Sequence, residues 1–597
     1  MNFYYEQSVF TLASSSVSHS DIISPVKTEV DQLLEDSMPE MTGAEAMFEF
    51  MVREGVRYVF GNPGTTELPL MDLFAARDEI KYILALHEDS ALGIAAGYAE
   101  ATGKPAVVNL HTNPGLAHAL GNLYNVYRAG TPLIVTAGQQ DTRSMIDEPL
   151  LYADMLELAR QHTKWCWEVR HASEVPAAMA RAFKVAQTPP TGPVFLSLPV
   201  NVMEERAEIE LPPVTQIGSR VRGDALKIKE AAALLAAAKN PAIISGDGCA
   251  RSGALGELAR LAEMMAARVH AEPLNSLLVF PTGHPLYAGP LFPNAKQTRG
   301  LLEGVDVMLA VGVNNLAPLV YTGIGMIPDG VRLIQIDAGD HELGKTYPAE
   351  VAILADPLSA IQELIETLAP FASGAAAELL DRRREMIANH IAGVRSKFAE
   401  NASTASSDGP MSPAYVAREM RLAAAPDAVL VDESVTSTAF VRTLFTLSEP
   451  GTFFYAKGGS LGLGLPEAVG VKLAMPDRQV ICSVGDGTAL YTIQGLWTAA
   501  RYGLGVKFVV FNNSSYMILK GGLLALKGAS AERGVFVGMD ITEPEVDFVK
   551  LAESMGLAAK RVSKAAELRP ALDWALNENG PTLLDVAIGR EVRSVLR

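Results

Sequence analysis

The chain has 597 residues, 49% of them hydrophobic and 20% charged, enough for three or four domains of about 100–200 residues each. Fifty basic against 68 acidic side chains give a formal net charge of −18, which argues against a nucleic-acid partner. No apolar run reaches the roughly 20 residues of a membrane span, and Cys166, Cys249 and Cys482 lack metal or disulfide spacing and fit free thiols in the cytoplasm.

Residues 1–40 are Ser-rich and acidic without sustained periodicity and read as a mobile extension. Met1 is not followed by a basic region and an apolar core, so no signal peptide is expected. From 41 to 205 helix and strand signals alternate, with strands expected at 56–60, 82–86, 106–110, 133–137 and 194–198. Thr65 sits in a Gly-Pro turn, where a threonine ordinarily satisfies its own backbone. Glu88 follows the second strand and opens a helix expected over 91–101, where a carboxylate complements the helix dipole. His111 ends the third strand ahead of the turn signal Asn113-Pro114-Gly115. Taken alone, each of the three has a purely structural reading.

A second α/β unit is expected over 222–368, with strands at 242–245, 307–311 and 333–336. Asp337 closes the last of these and Asp356 follows, both in positions typical of caps. Residues 371–412 give one charged helix around 378–398 and a Ser/Ala/Thr linker at 401–409. The third unit, 413–597, holds the most specific signal. A buried strand at 480–484 runs into Gly485-Asp486-Gly487, helix-compatible spacing follows over 489–502, and a strand at 506–511 runs into Asn512-Asn513. In a parallel sheet Asp486 and Asn513 therefore leave neighbouring strands at the carboxyl edge, where open α/β sheets bind ligands. A carboxylate and an amide oxygen are hard donors suited to Mg²⁺ that also holds a phosphate.

That pairing resembles the diphosphate-binding motif of thiamine diphosphate-dependent enzymes. The resemblance extends to Phe60-Gly61-Asn62-Pro63-Gly64, Leu86-His87-Glu88, Asn109-Leu110-His111, Thr136-Ala137-Gly138-Gln139-Gln140 and Asp432-Glu433-Ser434, which look like segments of benzoylformate decarboxylases. It implies three successive doubly wound parallel-sheet α/β domains: pyrimidine-binding (41–205), middle (222–368) and diphosphate-binding (413–597). It also implies thiamine diphosphate and Mg²⁺ as cofactors. Asp486, Asn513 and the carbonyl of Ser515 would hold the metal, and Thr436, Gly487 and Thr488 would donate to the diphosphate. Gly459 would offer a carbonyl to the pyrimidine amine, while Leu461 props the cofactor into a bent shape. Glu88 would hydrogen-bond the pyrimidine ring and activate the cofactor. His111 would move protons, Thr65 stands where the family has a substrate-binding serine, and Met517, Ile518 and Leu519 would face the substrate.

The implied reaction is non-oxidative decarboxylation of a benzoylformate-like 2-oxo acid to an aldehyde. One departure matters: the second active-site histidine of those decarboxylases has no counterpart at Leu-Ala-Pro-Leu-Val-Tyr, residues 316–321. Two alternatives therefore stand beside it. A 2-hydroxyacyl-CoA lyase would leave formyl-CoA, with Arg590, Arg593 and Arg597 placed for a CoA phosphate. An acetolactate synthase-like carboligase would join two keto acids. A thiamine-binding scaffold without turnover is a different class, opposed by the intact Glu88, Asp486 and Asn513. The resemblance further implies a homodimer or homotetramer, with the cofactor between the Glu88 domain of one subunit and the metal-bearing domain of another. The region of Asp337 and Asp356 resembles one that binds adenine nucleotides in some relatives and is empty in others.

Overall fold

The computed structural model describes residues 39–372, 375–404 and 409–591. Most of the expected 1–40 extension, part of the 401–409 linker, and Arg593 and Arg597 lie outside the described residues.

Short apolar runs, rich in valine, isoleucine and leucine, form the strands, as expected for sheets covered on both faces. A two-stranded antiparallel ribbon joins β1 (Glu40–Thr42) to β8 (Arg206–Glu208) and ties the start of the first domain to its end. The first six-stranded sheet contains β2 (Tyr58–Gly61), β3 (Lys81–Leu84), β4 (Ala106–Leu110), β5 (Leu133–Gln139), β6 (Trp165–Glu168) and β7 (Val194–Pro199). The second contains β9 (Ala242–Ser245), β10 (Arg268–Ala271), β11 (Tyr287–Pro290), β12 (Val307–Val311), β13 (Arg332–Asp337) and β14 (Val351–Leu354). The third contains β15 (Val429–Glu433), β16 (Phe453–Tyr455), β17 (Val480–Gly485), β18 (Val506–Asn512), β19 (Ala558–Val562) and β20 (Thr582–Ala587).

The spatial orders are β3-β2-β4-β5-β7-β6, β11-β10-β9-β12-β13-β14 and β16-β15-β17-β18-β20-β19. Neighbouring strands in all three run parallel. Counted from its own first strand, the third sheet has the same order as the first, a kinship that sequence alone does not reveal. The chain reverses its winding between β2 and β4 in the first sheet and between β15 and β17 in the third. Crevices at the carboxyl ends of such strand pairs are where open α/β sheets bind ligands.

The first and third domains share one continuous core, in which Phe60, Ile94 and Leu116 belong to the same buried cluster as Leu465, Val469, Val484 and Phe508. Its centre is the crossing of two helices, Glu88–Thr102 and Gly464–Ala474. Their backbones nearly touch: a Cβ on Gly97 would lie 2.0 Å from the Glu467 carbonyl oxygen, and one on Gly470 would lie 1.9 Å from that of Ile94. Only glycine permits this approach. The charged helix expected around 378–398 is the longer Ala375–Ala402, which follows the middle domain.

Candidate active site

At the carboxyl edge of the third sheet, β17 delivers Asp486 into a short helix while β18 ends at Asn512 and hands on Asn513. Both side chains are buried. Asp486 accepts from the Gly487 amide at 2.9 Å and from the Ser515 amide at 3.3 Å. Burial pushes its pKa up to about 6. The side-chain oxygen of Asn513 is buried without any hydrogen-bond partner, a costly condition for a polar atom unless a ligand relieves it. An orphaned amide oxygen beside a buried carboxylate is the donor set of a hard divalent cation.

Around that pair the chain builds a cradle. Glu433, at the end of β15, accepts from the backbone amides of Gly462 (3.0 Å) and Gly464 (2.7 Å), and burial raises its pKa to about 8. The Gly462 carbonyl accepts from Thr492 Oγ1 at 2.6 Å, which ties this loop to the segment after Thr488. Gly459 has φ +82° and lies at the exposed tip of the loop, Leu461 is half-buried on its way into the helix, and Thr436 sits in the turn after β15. Asn125 of the first domain clamps the loop from the other side, with Nδ2 donating to the Ser460 carbonyl (2.7 Å) and Oδ1 accepting from the Ser460 amide (3.1 Å). Just upstream, Lys457 reaches into the middle domain and pairs with Asp247 (2.6 Å) and Glu272 (2.5 Å). All three domains thus fix the one loop that carries Gly459 and Leu461.

A second cluster of polar groups is built by the first domain. The second strand ends at Leu84, two residues earlier than expected, and Leu86 is 43% exposed. The chain leaves the sheet there so that His87 can cap the next helix, its Nδ1 accepting from the Asp89 amide at 3.2 Å. Glu88 is the first residue of that helix and is buried. Its Oε1 accepts from Asn62 Nδ2 at 3.4 Å, and its Oε2 lies 3.0 Å from His118 Nδ1. His111, after β4, has Nδ1 2.8 Å from Glu67 Oε2. Glu67 is itself buried and held by the amides of Gly64 and Gly138, each at 2.9 Å. The Glu67 hydrogen bond raises the His111 pKa above its ordinary value, outweighing the opposing effect of burial.

Thr65 is exposed, whereas Thr66 is buried with its hydroxyl 3.4 Å from His111 Nδ1. The hydroxyl that the structure brings to His111 therefore belongs to Thr66. Met517 is buried, Ile518 half-buried and Leu519 exposed, as successive positions about 100° apart on the helix Met517–Leu526 must be. They do not share one wall. Sequence reading missed Glu67, Asn125, Lys457 and His118. Of these, His118 carried a usable signal, since it falls seven positions after His111 and so on the same face of one helix.

The Asp337–Asp356 region forms a cavity of about 550 Å³ with Gly248, Gly339 and His341 on its walls. Asp356 works there as a helix cap, its Oδ1 accepting from the Ser359 amide at 3.0 Å. Among the described residues no helix is long and apolar enough to cross a membrane.

Three family profiles match the chain: thiamine pyrophosphate enzyme, N-terminal TPP binding domain (41–157), central domain (228–364) and C-terminal TPP binding domain (434–586). A benzoylformate decarboxylase from Pseudomonas aeruginosa is 33% identical over 548 residues, which cover 91% of this chain and 98% of that protein. The chain belongs to the thiamine pyrophosphate enzymes. Other members lie close to this enzyme as well. A probable acetolactate synthase large subunit from Methanococcus aeolicus is 29% identical, with 92% of each chain covered. Among solved structures, the thiamine diphosphate-dependent 4-hydroxybenzoylformate decarboxylase of Rhodococcus jostii RHA1 superposes with a TM-score of 0.81 at 31% identity. That match covers 92% of this chain and 99% of the other. The thiamine pyrophosphate enzyme described here therefore has N-terminal and C-terminal cofactor-binding domains flanking a central one.

Proposed function

We propose that this enzyme removes carbon dioxide from a benzoylformate-like 2-oxo acid and releases the aldehyde, using thiamine diphosphate anchored through Mg²⁺. The carrying observation is the His111–Glu67 pair, 2.8 Å apart at the mouth of the first-domain crevice. Release of an aldehyde requires a proton at the former carboxyl-bearing carbon, and a histidine held by a buried carboxylate can carry one. A carboligase needs the reverse, a site that withholds protons until a second keto acid arrives.

Bound thiamine diphosphate supplies a carbon nucleophile and an electron sink. The protein's part is positioning and proton handling. Asp486 Oδ, Asn513 Oδ1 and the Ser515 carbonyl would hold the metal, and Thr436, Gly487 and Thr488 would donate to the diphosphate. Gly459 would offer its carbonyl to the pyrimidine amine, Leu461 would support the cofactor, and Glu88 would hold a proton for the pyrimidine ring. His111 would serve the substrate oxygen and carbon, with the neighbouring Thr66 hydroxyl in place of the expected Thr65. The active unit is a homodimer or homotetramer.

Incubation of the loaded enzyme with aryl and alkyl 2-oxo acids, and separately with 2-hydroxyacyl-CoA thioesters, tests the assignment. Carbon dioxide and aldehyde in equal amounts are expected. Formyl-CoA from a thioester, or an acetohydroxy acid from paired keto acids, would replace this reading with the lyase or the carboligase. Chelation of the metal should abolish turnover, and Mg²⁺ should restore it.

Replacing Glu67 with glutamine should leave a neutral partner for His111. The raised His111 pKa means that its protonated form persists to higher pH in the native site and is lost as pH rises through that value. The alkaline limb of the rate profile should therefore move to lower pH in Glu67→Gln. An unchanged limb would show that His111 is not the group titrating there.

A further inference from the structure

No hydrogen bond of its own fixes the Asn513 side-chain oxygen, so its aim is set by the backbone on either side of it. That backbone is held by a closed ring of polar groups. Asn512, the last residue of β18, accepts through Oδ1 from the Ser514 amide at 3.0 Å and donates through Nδ2 to Asp585 Oδ1 on β20 at 2.8 Å. Arg561, on the edge strand β19, gives Nη1 to Asp585 Oδ2 at 2.8 Å and Nη2 to Glu545 Oε1 at 2.9 Å. The Ser514 hydroxyl, with one proton to give, lies 3.0 Å from Glu545 Oε1 and 3.1 Å from Asn512 Oδ1. Donation to the carboxylate, the stronger acceptor, closes the ring.

The turn inside this ring needs holding. Ser514 has φ +48°, a left-handed conformation in a residue that is not glycine, and such backbone persists only where its surroundings over-determine it. The opposite side is clasped by main chain, with the Ile541 amide donating to the Ser514 carbonyl at 2.8 Å and the Ser515 hydroxyl donating to the Met539 carbonyl at 2.7 Å. Asn512, Ser514 and Asp585 are all buried. An ordinary ion pair on an edge strand contributes little, but this one ends on a buried carboxylate that grips Asn512. Arg561 is the one cation among the five residues, and its planar fork spans two carboxylates as a lysine ammonium could not.

We infer that Arg561 is a positioning residue of the metal site: by closing the ring it fixes the turn 512–514 and aims the Asn513 side-chain oxygen at a cation beside Asp486. The inference rests on the reading of Asp486 and Asn513 as donors to Mg²⁺. Arg561 itself touches neither metal nor substrate. Partners that orient a metal donor in this way typically carry about 10–100-fold of a site's affinity.

Mn²⁺ in place of Mg²⁺ reports the site without turnover. Its dissociation constant is read by electron paramagnetic resonance on protein saturated with thiamine diphosphate, below the melting temperature of each variant. No substrate enters, so the decarboxylase reading is not at stake. Arg561→Met and Glu545→Ala should each weaken Mn²⁺ binding by about tenfold or more. Glu545→Gln should bind as wild type does, because the oxygen facing Arg561 and Ser514 survives as an amide carbonyl. Arg561→Lys keeps the charge without the fork and should not recover the affinity. Wild-type affinity in Arg561→Met, full recovery in Arg561→Lys, or equal losses in Glu545→Ala and Glu545→Gln would each overturn the positioning role. A lowered melting temperature with unchanged affinity would overturn it too, leaving the ring a structural brace. Asn513→Ala checks the underlying reading: it should lose at least as much affinity, and wild-type binding there would remove Asn513 as a metal donor.

Discussion

Glu88→Gln is expected to lower turnover by about 100-fold or more while cofactor and metal affinity change little. Glutamine has nearly the same shape, so the 3.4 Å contact with Asn62 and the 3.0 Å contact with His118 can both be kept by turning the amide. What it cannot do is take up or release a proton. The metal anchor at Asp486 and Asn513 belongs to another sheet and is untouched. The expected signature is therefore a fall in kcat with cofactor affinity, followed by calorimetry, within about threefold of wild type, the pattern of an interaction made only during reaction. Turnover close to wild type would remove Glu88 from the activating role.

Lys457→Met should be the most damaging single change to stability. Lys457, Asp247 and Glu272 have side chains no more than 2% exposed, and the ammonium serves both carboxylates. Burial opposes the charge on Asp247, but Lys457 outweighs it and holds the carboxyl below its usual pKa. Burial pushes Glu272 the other way, and the adjacent Asp247 charge adds to the push. Both carboxylates are further committed to backbone amides, Asp247 to Leu277 (3.0 Å) and Glu272 to Asn314 (3.0 Å). Removing the ammonium leaves them facing each other in a dry space, at a cost of about 3–5 kcal/mol. A chain of several domains need not unfold in one step, so the loss is best read locally. Hydrogen exchange at 243–249, 272–277 and 456–463 should accelerate by about 100-fold or more, and an unchanged rate would show that the triad does not join the domains.

Much of this was legible in the chain. The Gly485-Asp486-Gly487 and Asn512-Asn513 segments stand out because β17 and β18 are mostly apolar, interrupted only by Ser483 and Lys507, and end in polar groups. Edge strands were harder. β19 reads Ala-Ala-Lys-Arg-Val and is largely exposed, so it carries neither the apolar run nor the alternation that marks a covered strand. The early end of β3 was hidden because Leu86 looks like a strand residue, yet its place is set by the capping demand of His87. The Lys457 triad joins residues about 200 positions apart, and no local pattern announces such a pair. His118 shares a helix face with His111, but its partner Glu88 lies 30 positions away in another element, and the spacing of the two histidines does not disclose that contact.

The near-contact of backbones at Gly97 and Gly470 bears on how such an enzyme diversifies. Where two half-sites meet through side chains, each change in packing shifts their separation. Here the spacer is main chain, whose thickness no substitution alters. Side chains elsewhere in either domain can drift while the separation of the first and third domains within one chain stays constant. Each subunit thereby presents its first and third domains in one fixed relation, and the glycines are the positions where a library should not vary.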